Sequence, residues 1–307
     1  MIEKPRVAII CGPTGVGKTG VSIDIAAQLK AEIISADSMQ VYRYMDIGTA
    51  KPTAAEMARI PHHMVNIVDP DADFDAQQYA AMSHEIINKL AAEGKPALVV
   101  GGTGLYIRAL IHGLFDSAPV NLKSRNRLKQ EMITDGKDVL YKRLQSCDPK
   151  SAARIHPHDT YRIIRALEVY EITGSPISSF HQSHHFGDSF FHVMKIGLYR
   201  DRKILYERID HRVDQMMVEG LVDEVALLFS RGYSSRLKSM KSIGYRHTAD
   251  YMEGRLSWDA AVQSMKQDTR RYAKRQFTWF KSDPQLQWID MDHPDEIYRQ
   301  IKKFLLH

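Results

Sequence analysis

The feature that most constrains this chain is the octapeptide Gly12-Pro13-Thr14-Gly15-Val16-Gly17-Lys18-Thr19, which satisfies G-x-x-x-x-G-K-[ST] in full. It follows the apolar run Val7 to Cys11, which reads as a buried strand. It precedes Gly20 to Leu29, where Val21, Ile25 and Leu29 fall at helical spacing. A strand, a tight glycine turn and a helix in that order let successive backbone N–H groups converge on an anion. The helix N-terminus adds a partial positive charge, Lys18 adds a full one, and the Thr19 hydroxyl can ligate magnesium. The loop is therefore expected to bind a group bearing a diphosphate or triphosphate.

Further strands are expected at Glu32 to Ala36 and at Ala97 to Val100, alternating with helical segments. Such alternation implies a parallel sheet with helices on its faces, here a P-loop NTPase-like α/β core. From Asn121 to Thr173 no strand is expected. Asp148 before Pro149 reads as a helix N-cap, and Asp159 as the cap of a helix running to Thr173 that Gly174 stops. Residues 174–192 read as a loop rich in Ser, His and Gly, and His192 to Tyr199 as a strand. From Asp201 onward the chain reads as helical, with Leu205, Ile209, Val213 and Met216 on one apolar face. The expected organisation is a catalytic core of residues 1–116 and 191–307 with C-terminal helices, and an inserted all-helical domain of residues 117–190.

With 44% hydrophobic and 26% charged residues, the 307-residue chain is not disordered, collagenous or a coiled-coil rod. Two cysteines cannot staple a fold, and the first apolar run is far short of the ~20 residues a spanning helix needs. A cytoplasmic protein without a membrane segment is expected. The charge is uneven: residues 1–100 carry a net −3, whereas residues 195–281 carry +7, so a polyanionic partner suits the latter region.

The usual P-loop enzyme carries a metal-binding Asp at the end of a later apolar strand. Here Ala97-Leu98-Val99-Val100 runs into Gly101-Gly102-Thr103-Gly104, with no acid. The carboxylate follows the second strand instead, in Ile33-Ile34-Ser35-Ala36-Asp37-Ser38. Because ligands of open α/β sheets sit at the carboxyl ends of strands, the phosphate loop, Asp37 and Thr103 should converge on one cleft. A small-molecule or nucleotide kinase is the alternative reading, and it lacks that acid.

The ordered set Gly12-Pro13-Thr14, Asp37-Ser38-Met39-Gln40-Val41-Tyr42, Gly48-Thr49-Ala50-Lys51-Pro52, His62-His63, Gly101-Gly102-Thr103-Gly104-Leu105-Tyr106, Arg162-Ile163-Ile164-Arg165-Ala166-Leu167-Glu168-Val169, Ile243-Gly244-Tyr245 and Arg275-Gln276-Phe277-Thr278-Trp279-Phe280 resembles the tRNA dimethylallyltransferase family over nearly the whole chain. Tyr161 stands where that family usually has Gln, and His247 where Glu is common.

The resemblance implies transfer of the dimethylallyl group of dimethylallyl diphosphate to the N6 amine of adenosine 37, just 3′ of the anticodon, in tRNAs reading codons that begin with U. It implies that Gly12, Pro13, Thr14, Gly15, Val16, Gly17, Lys18 and Thr19 bind the diphosphate (a nucleotide or ATP site in the family's usual description), with Mg2+ at Thr19. Asp37 would take the amine proton, and Thr103 would polarise the leaving oxygen or bond the diphosphate. Asp37, Ser38, Met39 and Gln40 would surround the base, drawn out of the anticodon loop. Arg125, Arg162, Arg165, Gly244, Tyr245 and Arg246 would contact the tRNA, and residues 117–190 would close on the anticodon stem-loop. A monomer with no obligate protein partner is implied.

Independently of that resemblance, a helix over 266–281 would align Lys266, Arg270 and Lys274 in one row and Arg271 and Arg275 in the next, with Tyr272, Phe277, Trp279 and Phe280 between them. The aromatics are expected to pack inward and the basic rows to face RNA phosphates. His181, His184 and His185 have no cysteine partners, and no metal site is expected there.

Overall fold

A computed structural model describes residues 4–113, 122–183 and 189–306. The chain runs β1 (Arg6–Cys11), α1 (Lys18–Leu29), β2 (Glu32–Ala36), α2 (Ala54–Arg59), β3 (His62–His63), α3 (Ala76–Ala92), β4 (Ala97–Gly101) and α4 (Gly104–His112). There follow α5 (Leu122–Thr134), α6 (Lys137–Cys147), α7 (Pro149–Ala152), α8 (Thr160–Thr173), α9 (Ile177–Ser183) and β5 (His192–Tyr199). The remainder is α10 (Arg202–Val218), α11 (Leu221–Ser230), a 3-10 turn at Ser239–Lys241, α12 (Tyr245–Met252), α13 (Trp258–Lys281), β6 (Gln287–Asp290) and α14 (Pro294–Leu306). Two compact units result, Met1–Ile111 with Ser189–His307, and His112–Asp188. No helix among the described residues is long and apolar enough to cross a membrane.

In the larger unit six parallel strands form one sheet in the order β3-β2-β4-β1-β5-β6. Strands β1, β2 and β4 are almost continuous apolar runs because helices cover both their faces; Val7, Ala8, Ile10, Ile34, Leu98 and Val99 are fully buried. All strands point the same way, so β1, β2, β4 and β5 deliver their following residues to one edge. Those residues are the glycine loop, Asp37, Gly102 and Arg200. Gly12, at φ +144, leaves β1 so close to β5 that a Cβ would sit 2.6 Å from the Leu198 carbonyl oxygen. Only glycine permits that exit.

The smaller unit is helical throughout its described residues. Leu128, Leu140, Leu144, Ile163, Leu167 and Val169 form its core. Asp148 caps α7 by accepting from Ser151 N–H at 3.0 Å, and also takes the Ser178 N–H at 2.9 Å. Asp159 caps α8, which ends at Gly174 in the left-handed conformation.

Two expectations are corrected, and one strand is added. Residues 174–192 are not all loop, since Ile177–Ser183 is helical, anchored by Ile177 in the core and by Ser178 on Asp148. The chain after Asp201 is not all helical: β6 closes the far edge of the sheet beside β5. The two-residue strand at His62–His63 extends the opposite edge. His184 and His185 lie outside the described residues.

Candidate active site

At the carboxyl edge of the sheet lies a cavity of about 830 Å³, lined by Thr14, Gly15, Gly17, Lys18 and Thr19 on one side and by Asp37, Gln40 and the loop from Asp46 to Thr53 on another. Helices α10 and α13 close it with Arg208, Arg212, Tyr272 and Gln276. The glycine loop and Asp37 thus share one enclosure.

The loop is held from three directions. The Lys18 ammonium donates to its own loop's carbonyls, Gly12 O at 3.0 Å and Pro13 O at 2.8 Å. Burial lowers the Lys18 pKa to about 8, although Asp37 opposes the shift. Arg200 donates to Val16 O at 3.0 Å and Arg208 to Gly15 O at 3.0 Å; Arg212 reaches the Thr14 hydroxyl at 3.4 Å. From the C-terminal side, the Gln276 amide accepts from Thr14 N–H at 2.8 Å and donates to Gly102 O at 3.0 Å. Gln276 is buried with both ends of its amide bonded, so it fixes the loop against the end of β4.

Arg212 is, like Lys18, costly to keep charged. Burial lowers its pKa, and the negative charge of Asp37 works against that shift. Lys18, Arg208 and Arg212 together make the cavity a site for a multiply charged anion. Neither Arg208 nor Arg212 was legible as a site residue. They sit beside Ile209 and Val213 on an amphipathic helix, where charges normally read as solvated. The available signal was their i,i+4 spacing immediately flanking the apolar face.

Asp37 follows β2 in a tight turn: its Oδ1 accepts from Met39 N–H at 2.8 Å and from Gln40 N–H at 3.4 Å. Gln40 is tied in turn, its Oε1 accepting from the Ser35 hydroxyl at 2.9 Å. Ser38 and Met39 are part-buried beside it. The Thr103 hydroxyl accepts from Ser38 N–H at 3.0 Å and contacts the Ser38 hydroxyl at 3.4 Å and Tyr272. Thr103 is therefore committed to the Asp37 turn and is not among the residues lining the cavity. Tyr272 does line it, and burial pushes its phenol up to about 12, so it is a neutral donor near neutral pH.

The expected RNA-contacting residues separate into groups. Tyr245 is fully buried and gives its hydroxyl to Glu224 at 2.6 Å, and Gly244 is buried beside it, so neither offers a surface to RNA. Arg246 is exposed and pairs with Asp268 at 2.6 Å. His247 is buried at the third position of α12, where its Nδ1 accepts from Gly244 N–H at 3.4 Å, as a glutamate would in a capping box. In the smaller unit, Arg125 and Arg165 both contact the buried Glu168, at 2.8 and 2.9 Å. Arg162 is exposed and pairs with Asp159 at 3.1 Å, and Tyr161 is 72% exposed.

The basic rows of α13 are not one surface. Lys266 pairs with Asp214 and Arg270 with Asp210, both on α10, so most of that row fastens two helices together. Arg271, Lys274 and Arg275 remain exposed, Arg271 pairing with Asp268 at 3.2 Å and Arg275 lying over the Tyr272 ring. The aromatics do not all pack inward as expected: Phe280 is buried and Tyr272 part-buried, but Phe277 and Trp279 are about 40% exposed. Neutralising Arg271 and Arg275 together is expected to weaken RNA binding and to reduce the log–log salt slope by about one unit for each arginine that meets a phosphate. An unchanged slope in a binding titration across salt concentrations would exclude this face as the docking surface.

Comparison with known proteins places this geometry. The family model described as IPP transferase matches residues 40–283. A tRNA dimethylallyltransferase of Desulfosudis oleivorans is 51% identical over 98% of this chain and 96% of its own length. One of Syntrophobacter fumaroxidans is 49% identical over 92% and 83%. Among solved structures, the full-length tRNA isopentenylpyrophosphate transferase of Bacillus halodurans superposes with TM-score 0.73 at 40% identity, over 99% of this chain and 97% of its own. A eukaryotic dimethylallyltransferase acting on tRNA gives 0.81 at 29% identity, over 97% and 78%. With an anion cradle and a carboxylate facing one cavity, a family model over most of the chain, and relatives of this similarity covering most of both chains, the chain belongs to the tRNA dimethylallyltransferase, or IPP transferase, family.

Proposed function

We propose that this protein transfers the dimethylallyl group of dimethylallyl diphosphate to N6 of adenosine 37 in tRNAs reading codons that begin with U. The observation that carries this reading is the single cavity in which Lys18, Arg208, Arg212 and the glycine loop oppose Asp37. The adenine nitrogen attacks the allylic carbon, the carbon–oxygen bond to diphosphate breaks, and the amine proton passes to the Asp37 carboxylate. The cationic cradle takes up the charge that develops on the departing diphosphate, so no nucleotide hydrolysis is needed. Tyr272 can donate a hydrogen bond into the same space.

The Thr19 hydroxyl at the cavity wall is a hard oxygen donor of the kind a magnesium ion takes. Bound there, magnesium would neutralise diphosphate charge. The remaining steps belong to the chain's own residues. The RNA approaches through the exposed arginines of α13, and Arg162 of the smaller unit meets the anticodon stem-loop. The kinase alternative gains nothing from the site, because β4 runs into Gly101 and Gly102 without a carboxylate.

Incubating unmodified tRNA with the protein, magnesium and dimethylallyl diphosphate, without ATP, should yield N6-dimethylallyladenosine on digestion and mass analysis of the nucleosides. Unmodified adenosine as the sole outcome would refute the assignment.

A further inference from the structure

The cavity wall opposite the glycine loop is a stretch of irregular chain, and one distant carboxylate holds it in shape. Glu224, in the first turn of α11, accepts four hydrogen bonds. Its Oε2 takes Asp46 N–H at 2.9 Å and Ile47 N–H at 2.8 Å. Its Oε1 takes Gly48 N–H at 3.2 Å and the Tyr245 hydroxyl at 2.6 Å. Three consecutive backbone N–H groups turned toward one point form an anion-binding concavity, and here the anion is the protein's own side chain. The fit tolerates no Cβ at Gly48, where it would lie 2.5 Å from the Tyr245 ring.

The loop so held transmits its position to Asp37. Ala50 O accepts from the Gln40 side-chain amide at 3.2 Å, and Gln40 N–H is one of the two donors to Asp37 Oδ1. The buried Lys51 locks the same segment from behind, donating to Tyr42 O, Asp46 Oδ1 and Asn66 Oδ1 at 2.6 to 2.7 Å. Its three N–H donors therefore all have partners. Glu224 and its partner Tyr245 come into this framework from far along the chain.

We propose that Glu224 is a positioning residue of the transfer reaction: by fixing residues 46–50 it fixes Gln40, and through Gln40 it holds the Asp37 carboxylate where the adenine amine presents its proton. The inference rests on the prenyl-transfer reading above. It accounts for why the Gly48-Thr49-Ala50-Lys51-Pro52 and Ile243-Gly244-Tyr245 segments occur together in a chain whose chemistry lies at Asp37, for neither segment contains the base.

The test is Glu224→Gln in the full chain. Glutamine offers one acceptor oxygen where the carboxylate has two, so its NH2 group must face either the Asp46 and Ile47 N–H pair or Gly48 N–H and Tyr245. The loop must shift. Because displacements near 1 Å cost about 100-fold in rate, kcat is expected to fall about 10- to 100-fold. KM for dimethylallyl diphosphate and for tRNA should stay within about twofold, as expected when only transition-state geometry is lost. Tyr245→Phe keeps the ring against Gly48 but removes one of the four donors, and should lower kcat by about threefold or more.

A variant with lower thermal stability but wild-type kcat well below its melting temperature would show a merely structural role and overturn the proposal. So would a rise in KM with kcat unchanged. Should Glu224→Gln fail to fold, an unchanged kcat in Tyr245→Phe overturns it alone. The wild-type chain assayed alongside separates the two levels: if it transfers no prenyl group, the reaction falls and this inference with it, whereas an active wild type matched by Glu224→Gln removes only the role of Glu224.

Discussion

Asp37→Asn should transfer the prenyl group about 10²- to 10⁴-fold more slowly than wild type in a single turnover with both substrates saturating, the range a positioned general base contributes. The substitution is nearly isosteric. An asparagine oxygen can still accept from Met39 N–H, which now bonds Oδ1 at 2.8 Å, so the turn after β2 should survive. What is lost is the capacity to take a proton from an amine that is a poor nucleophile until it begins to lose one. RNA affinity should therefore change little while the chemical step slows. A single-turnover rate within threefold of wild type would remove Asp37 from the mechanism and leave the proton without a designated acceptor.

Arg212→Ala should lower kcat/KM for dimethylallyl diphosphate about 100- to 1000-fold, comparable with deletion of one donor to a developing anion in a closed site. The same substitution should not cost stability. The guanidinium is part-buried, its charged form is disfavoured there by desolvation, and its one direct contact to the glycine loop is the 3.4 Å approach to the Thr14 hydroxyl. Removing a cation whose desolvation is only partly offset by Asp37 leaves the melting temperature unchanged or raises it. Activity and stability thus move apart, and that divergence marks a group retained for its ligand. A parallel loss of both, or kcat/KM within fivefold of wild type, would show that Arg212 only supports the loop.

The parts of this molecule that were legible in the sequence are those whose determinants are local. The run before Gly12, the turn Gly12–Thr19 and the apolar strands at 32 and 97 each carry their signal within about ten residues; the three strands occur in the sheet and the turn joins β1 to α1. The caps at Asp148 and Asp159 are legible for the same reason. The edge strands were not. His62–His63 is two residues long, and Gln287–Asp290 is four with polar ends, so neither presents the apolar run of a strand covered on both faces.

Charge was harder to read than hydrophobicity because its meaning depends on partners elsewhere in the chain. Lys266 and Arg270 look like a nucleic-acid face until Asp214 and Asp210 are found across from them on α10. Arg208 and Arg212 look like solvated helix charges until α10 is seen to lie over the glycine loop. Tyr245 belongs to a motif read as RNA-contacting, yet its side chain is spent on Glu224 inside the fold. In each case a long-range pairing decides, and no window of a dozen residues contains it.

The amide of Gln276 bridges Thr14, 262 positions earlier in the chain, to Gly102. Although the glycine octapeptide is synthesised well before that helix, its geometry is completed only when the helix has been made. Loop closure over such a separation cannot precede translation of that helix. A nascent chain therefore carries an unfinished anion site until that helix has been made, and an anion can be held there only by molecules that already possess the helix bearing the exposed arginines.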